Sequence, residues 1–201
     1  MLLATAVLAG CGGDGGGLVG GAASSEPNAT DAAFARAMVV HERALGSMAQ
    51  LGSRKALRDE LRGIAKETLA RNDRELSSVR ELADELRSQG VSRIGGGIGE
   101  PPPFDARGLR RAVSFDHEFL ARMISAHEYA MAAAAVERRR GADSRLRVVA
   151  QSIYESSRRD LAKLRRWLST WYGGDTQPPP LPPPGGGGGG GGGGASPGPE
   201  V

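Results

Sequence analysis

The chain has one cysteine, Cys11, in 201 residues. An intramolecular disulfide and a multi-cysteine metal site are therefore excluded. No Lys/Arg run marks a nucleic-acid groove: 26 basic and 23 acidic residues are interspersed, for a net charge of +3. The pI of 9.4 reflects that small surplus, and no nucleic-acid partner is expected. No segment alternates with strand period over a useful length. There is no Gly-x-Ser-x-Gly, no phosphate-binding loop and no Ser/His/Asp arrangement, so the chain is not expected to be an enzyme.

What is abundant is glycine and proline, 31 and 12 residues. They concentrate at Gly12 to Gly21, Gly95 to Pro103 and Pro178 to Pro199. Removing these leaves two blocks of about sixty residues, the size of two helical hairpins. Residues 12–28 hold too few large apolar side chains to offset the entropy of ordering and read as a flexible tether. Residues 175–201 read as a Pro/Gly-rich tail without a core, a spacer or simple low complexity. At the N-terminus a short apolar run closes on Leu8-Ala9-Gly10-Cys11, which resembles a bacterial lipobox. Residues 1–11 would then be a lipoprotein signal peptide, with Cys11 lipidated and the chain exported and tethered to a membrane. No Lys or Arg precedes Cys11, so the true translation start is expected upstream.

Between the tails the apolar positions have helical period. Phe34, Met38, His41, Leu45 and Met48 line one stripe; a second runs from Leu57 through Leu61, Ile64, Thr68, Asn72, Glu75, Val79 and Leu82 to Leu86 and stops at Gly90. The layout then repeats. Asp31, Phe34 and Met38 match Asp116, Phe119 and Met123; Phe119, Met123, His127 and Ala130 line a third helix. Leu146, Val149, Ile153, Ser157, Asp160, Leu164, Trp167 and Trp171 line a fourth, closed by Gly173-Gly174. The spacing predicts an all-α, ferritin-like four-helix bundle over residues 29–174. Repeat one would occupy 29–90, a loop 91–112 and repeat two 113–174, the loop being long enough to run the length of a helix.

The pattern Asp-x-x-Phe-x-x-x-Met-Ile-x-His-His-x-x-Ala-x-x-Met-Ala, followed by Gln-x-x-Glu-Ile-x-x-Met-x-x-Trp-Leu, resembles the bacterial domain of unknown function 305. The likeness extends over roughly Asn28 to Gly174 and is strongest at residues 115–124 and 167–173. It implies a ferritin-like, mostly exported protein, often with two tandem copies, and some members are associated with copper or other metals. Carried over, the paired histidines become His41-Glu42 in the first copy and Ala126-His127 in the second. Met38, Met48 and Met123 match motif methionines, and Ala133 stands opposite Met48. Asn72 and Glu75, then Ser157 and Asp160, occupy the Gln and Glu positions.

The residues themselves leave two readings open. His41 and His127 each lie on an apolar stripe, as Glu75 and Asp160 do, so each acid is expected to face a histidine across its hairpin. Such an imidazole can bind metal through its other nitrogen, or the pair can be a polar fastener in the core. Met38 with His41 is the leading ligand pair, copper the leading metal, and Met123 with His127 comes next; methionines at this spacing also serve as core filler. A di-iron site would need Glu-x-x-His, and Met38 and Ile124 stand at those positions. Asp31 and Asp116 are expected to cap their own helices, and His117 is expected at the surface. The function classes in play are a membrane-tethered metal-binding bundle and a non-enzymatic envelope scaffold with a protein partner and a decayed site.

Overall fold

The computed structural model describes residues 26–173; Cys11, its apolar run, the tether up to residue 25 and the Pro/Gly-rich tail lie outside them. Five helices follow in order: α1 (Ala29–Lys55), α2 (Asp59–Ser88), α3 (Ala106–Arg111), α4 (Phe115–Arg140) and α5 (Ser144–Tyr172). The architecture is all-α. α1 and α2 form one hairpin, α4 and α5 the other, and α1 packs along α4. Among the described residues no helix is long and apolar enough to cross a membrane.

The helix ends follow from local chemistry. Asn28 opens α1: its side chain accepts from the Thr30 and Asp31 amides, while Asp31 accepts from the Asn28 amide, a reciprocal capping box. Asp143 opens α5 by accepting from the Arg145 and Leu146 amides. Gly173 closes α5 with φ of 67°, a left-handed turn that costs glycine no Cβ clash.

α1 and α4 run antiparallel. Asp31, at the start of α1, accepts from the Ala142 and Asp143 amides just past the end of α4, and Lys55 at the end of α1 donates to the Arg110 carbonyl just before the start of α4. The connection from α2 to α4 must therefore travel the length of the bundle. It passes Ala29, where Gly96 lies too close to the Ala29 carbonyl for a side chain; it accepts from the Tyr129 hydroxyl at the Gly99 carbonyl, 2.7 Å away; and it ends beside Lys55. The expected loop over 91–112 differs in one respect, since it contains α3, capped by Asp105 and anchored by fully buried Leu109.

Matched positions of the two repeats, such as Asp31 and Asp116, stand 85 residues apart. The core obeys that register. One apolar lobe holds Phe34, Met38, Val79, Leu86, Leu146 and Ile153, and the other Met48, Leu61, Phe119, Met123, Leu164 and Leu168. Phe34/Phe119, Met38/Met123, Leu61/Leu146 and Val79/Leu164 are repeat counterparts on opposite lobes, as a pseudo-two-fold axis through mid-bundle requires. Leu57 departs from its expected stripe: it sits in the α1–α2 turn, exposed, and Ala56 is buried in its place.

Candidate functional site

Between the two lobes lies a layer of buried polar side chains. His41 and Glu42 come from α1, Asn72 from α2, His127 from α4, and Ser157 and Asp160 from α5, all nearly inaccessible to solvent; Glu75 is half-buried. A helix supplies such neighbours only from the face turned toward the axis, so the layer follows from the stripes that also build the lobes.

The one-residue slip between the copies has a structural meaning. In the first hairpin the Asn72 amide donates to the carboxyl of Glu42 and to its backbone carbonyl, each at 2.8 Å. In the second, His127 Nδ1 meets Ser157 Oγ at 3.3 Å. Both pairs span the same register, so the second residue of each matched pair (Glu42, His127) faces across its own hairpin. The first member (His41, Ala126) points elsewhere: both residues line a cavity of about 70 Å³ beneath the α2–α4 connection. His41 and His127 thus occupy different environments.

That cavity is walled by His41, Met48, Ala126, Ser125, Arg122 and the Pro102-Pro103-Phe104 segment. Arg122 is held by Glu118 at 2.6 Å. His41 packs against the Tyr129 ring with centroids 5.4 Å apart, and its Nε2 is buried without a hydrogen-bond partner. Burial, helped by nearby His127, lowers its pKa to about 3, so the imidazole is neutral with a lone pair available. His127 is lowered to about 4 by burial and by Arg71, and its Nε2 also lacks a hydrogen-bond partner.

Each acid was expected to face a histidine; Asp160 does lie opposite His127, but its ion pair is made elsewhere, and Glu75 does not meet His41. Arg71 of α2 ion-pairs with Asp160, which leaves Asp160 at 4.0 Å from His127 Nε2. A permanent guanidinium outcompetes a neutral imidazole for a buried carboxylate. No bond joins Glu75 to His41; burial raises the pKa of Glu75, against the pull of Arg71. Glu42 is raised to about 8, first by burial and then by Glu75, so it is a neutral acid at pH 7. Arg71 and Tyr129 carry no motif signal; Arg71 stands next to Asn72 on the stripe, and only that adjacency hinted at its role.

The methionines separate. Met38, one turn from His41, packs in one lobe and Met123 in the other, both fully buried. Met48 is the methionine that shares the cavity with His41. Among the described residues no three His, Cys, Asp or Glu side chains are placed to hold a metal together, so hard-ligand and carboxylate-rich sites are not built there.

Two other polar residues, Asp116 and His117, stand differently from expectation, and Asp31 does more than expected. Asp116 does not cap its own helix. It accepts from the Leu57 and Arg58 amides at 2.9 and 3.0 Å and so closes the turn of the other hairpin. Asp31 does the same to Ala142 and Asp143, the counterpart positions, besides serving its own helix. His117, expected at the surface, is buried edge-on against Tyr172 at 4.8 Å, because the end of α5 folds over the first turn of α4. Glu137, unremarked in the sequence, is buried beside Asp31, and burial with that neighbour pushes its pKa up to about 9.

A family model, Domain of unknown function (DUF305), matches residues 103–192, which takes in the second repeat and leaves the first outside. No curated protein matches the chain. Among solved structures, CopM in its Cu(I)-bound form is similar at 22% identity and a TM-score of 0.61, over 71% of this chain and 97% of that one. The Cu(II)-bound form of CopM gives 23% identity and 0.61 over the same shares. A DUF305 protein from Streptomyces coelicolor, described as secreted, gives 18% identity and 0.58, over 74% of this chain and 93% of that one. These likenesses establish the helical-bundle fold.

Proposed function

We propose that the chain, whose residues 103–192 match the model of the domain of unknown function 305 family, is an exported, lipid-anchored, non-catalytic bundle that binds copper as Cu(I). The observation that carries this reading is the buried Nε2 of His41, without a hydrogen-bond partner, in a residue that lines the same cavity as Met48. A buried polar nitrogen left unpaired is costly unless something completes it. An imidazole with a thioether is a soft donor set that favours Cu(I) over harder ions, and the lack of a three-ligand His/Cys/Asp/Glu cluster among the described residues disfavours zinc or iron.

His41 and Met48 would hold the ion. The Pro102-Pro103-Phe104 segment forms one wall of the cavity, and the depressed basicity of His41 keeps protons from competing for its lone pair. His127 lies close enough to lower that basicity further. Copper-bound CopM structures with the same fold support the choice of metal. Export and anchoring are supported by the apolar run ending at Cys11 and by the secreted Streptomyces protein.

The test is anaerobic Cu(I) titration against a chromogenic chelator, with the full chain carrying Cys11→Ser so that the thiol does not contribute. A single equivalent is expected to be retained, lost in His41→Ala, weakened at least about tenfold in Met48→Leu and unchanged in Met38→Leu. Failure to retain Cu(I), or undiminished binding by His41→Ala, refutes the reading. A scaffold role is the second reading, favoured by the replacement of the counterparts of His41 and Met48 by Ala126 and Ala133. It expects the His41→Ala, His127→Ala double variant to change stability alone.

A further inference from the structure

The pseudo-two-fold axis provides an internal control for what the fold itself requires at its two ends. At one end Asp116 closes the turn that contains Leu57 and Arg58; at the other Asp31 closes the turn that contains Ala142 and Asp143. The backbone arrangement is the same, but the side chains are not. Leu57, Arg58, Arg111 and Val113 occupy the positions of Ala142, Asp143, Glu26 and Asn28.

Leu57 is 83% exposed and Val113 74% exposed, and they lie in neighbouring turns at the same tip. Closing a helix end does not call for either one, since the twin end closes with alanine and asparagine. Around them stand exposed Arg54, Lys55, Arg58, Arg110 and Arg111. Asp59, Glu60 and Asp105 offset these only in part, and Asp59 is already paired with Arg62. Half-buried Trp167 and Trp171 stack nearby, with Arg58 lying 4.1 Å over the Trp171 ring.

We propose that this end of the bundle, tipped by Leu57 and Val113 within a ring of arginines, docks onto an anionic lipid surface. The cations match a negatively charged headgroup layer. The aliphatic tips and the amphipathic indoles suit the boundary between headgroups and acyl chains. A soluble polyanion would use the arginines and leave the two apolar tips idle. The docking surface is separate from the copper reading and does not depend on it.

The test uses the full chain with Cys11→Ser, so that no lipid anchor contributes, and co-sedimentation with vesicles. Equal parts phosphatidylglycerol and phosphatidylcholine are compared with phosphatidylcholine alone. The chain is expected to partition onto the anionic vesicles only. Leu57→Ser with Val113→Ser should lower partition about tenfold or more, and Arg58→Glu with Arg111→Glu should abolish it. Arg139→Glu with Arg140→Glu, at the opposite end, should leave it within about twofold. No partition onto anionic vesicles overturns the proposal, as does an equal loss from the opposite-end variant. Partition indifferent to Leu57 and Val113 also overturns it, and points to a polyanion instead. All these side chains are exposed, and circular dichroism confirms that each variant is folded.

Discussion

Stability should fall as pH rises from 6.5 to 8, and Glu42 should carry a measurable share of that fall. Its carboxyl is almost wholly buried, accepts from Asn72 at 2.8 Å, and is raised from 4.5 to about 8. The folded protein therefore keeps a proton on Glu42 that the unfolded chain has released. By linkage, this stabilisation is complete below 4.5 and is lost as pH climbs through 8. One proton is worth about 1.36 kcal/mol per pH unit. Since the folded group itself begins to titrate near 8, its share between pH 6.5 and 8 comes to about 1.5 kcal/mol. In a domain of this size that is roughly 3–6 °C in Tm. Glu75 and Glu137, also raised, act in the same direction. His41 and His127, lowered to about 3 and 4, act in the opposite one: the unfolded chain binds their protons below 6.5, so acidification costs stability from there down. From 4.5 to 6.5 the two sets oppose each other, and the profile should be nearly flat. The assay is urea unfolding at closely spaced pH values for the wild type and Glu42→Gln, which keeps the shape and the neutral form. The variant should lose about 1.5 kcal/mol less over that interval. A wild-type profile that is level or rising from pH 6.5 to 8, or an unaltered slope in Glu42→Gln, refutes the reasoning.

Asp116→Ala should destabilise by about 1–3 kcal/mol, since the Leu57 and Arg58 amides lose their acceptor; chemical denaturation measures it, and a change below a few tenths would show that water replaces the carboxylate. Gly52→Ala should cost about 1–3 kcal/mol, because a Cβ there overlaps the ring of fully buried Phe119; thermal melting without loss would mean that the ring has room to move. In the Cu(I) titration described above, the ordering Met48→Leu weaker than Met38→Leu is the part that depends on the cavity, and the reverse ordering would return the site to the Met38–His41 pair.

The amino-acid sequence by itself determined the repeat, the long helices and their apolar stripes, because helical period and turn residues are local signals. Phe34 and Phe119, Met38 and Met123 are buried as their spacing predicts, and Gly173 ends α5 where a left-handed residue was needed. Periodicity says which face of a helix is inward; it does not say which neighbour that face meets. For that reason only the tertiary structure decided that His41 shares a cavity with Met48, that Arg71 takes Asp160, that Asp116 serves the opposite hairpin and that Tyr172 covers His117. Each of these is a contact between segments distant in sequence or, for His41 and Met48, a shared void that exists only once the α2–α4 connection lies over α1. The slip between His41-Glu42 and Ala126-His127 was legible from the start. Its meaning came from packing, which turns the first position of each doublet toward the cavity and the second toward its own hairpin.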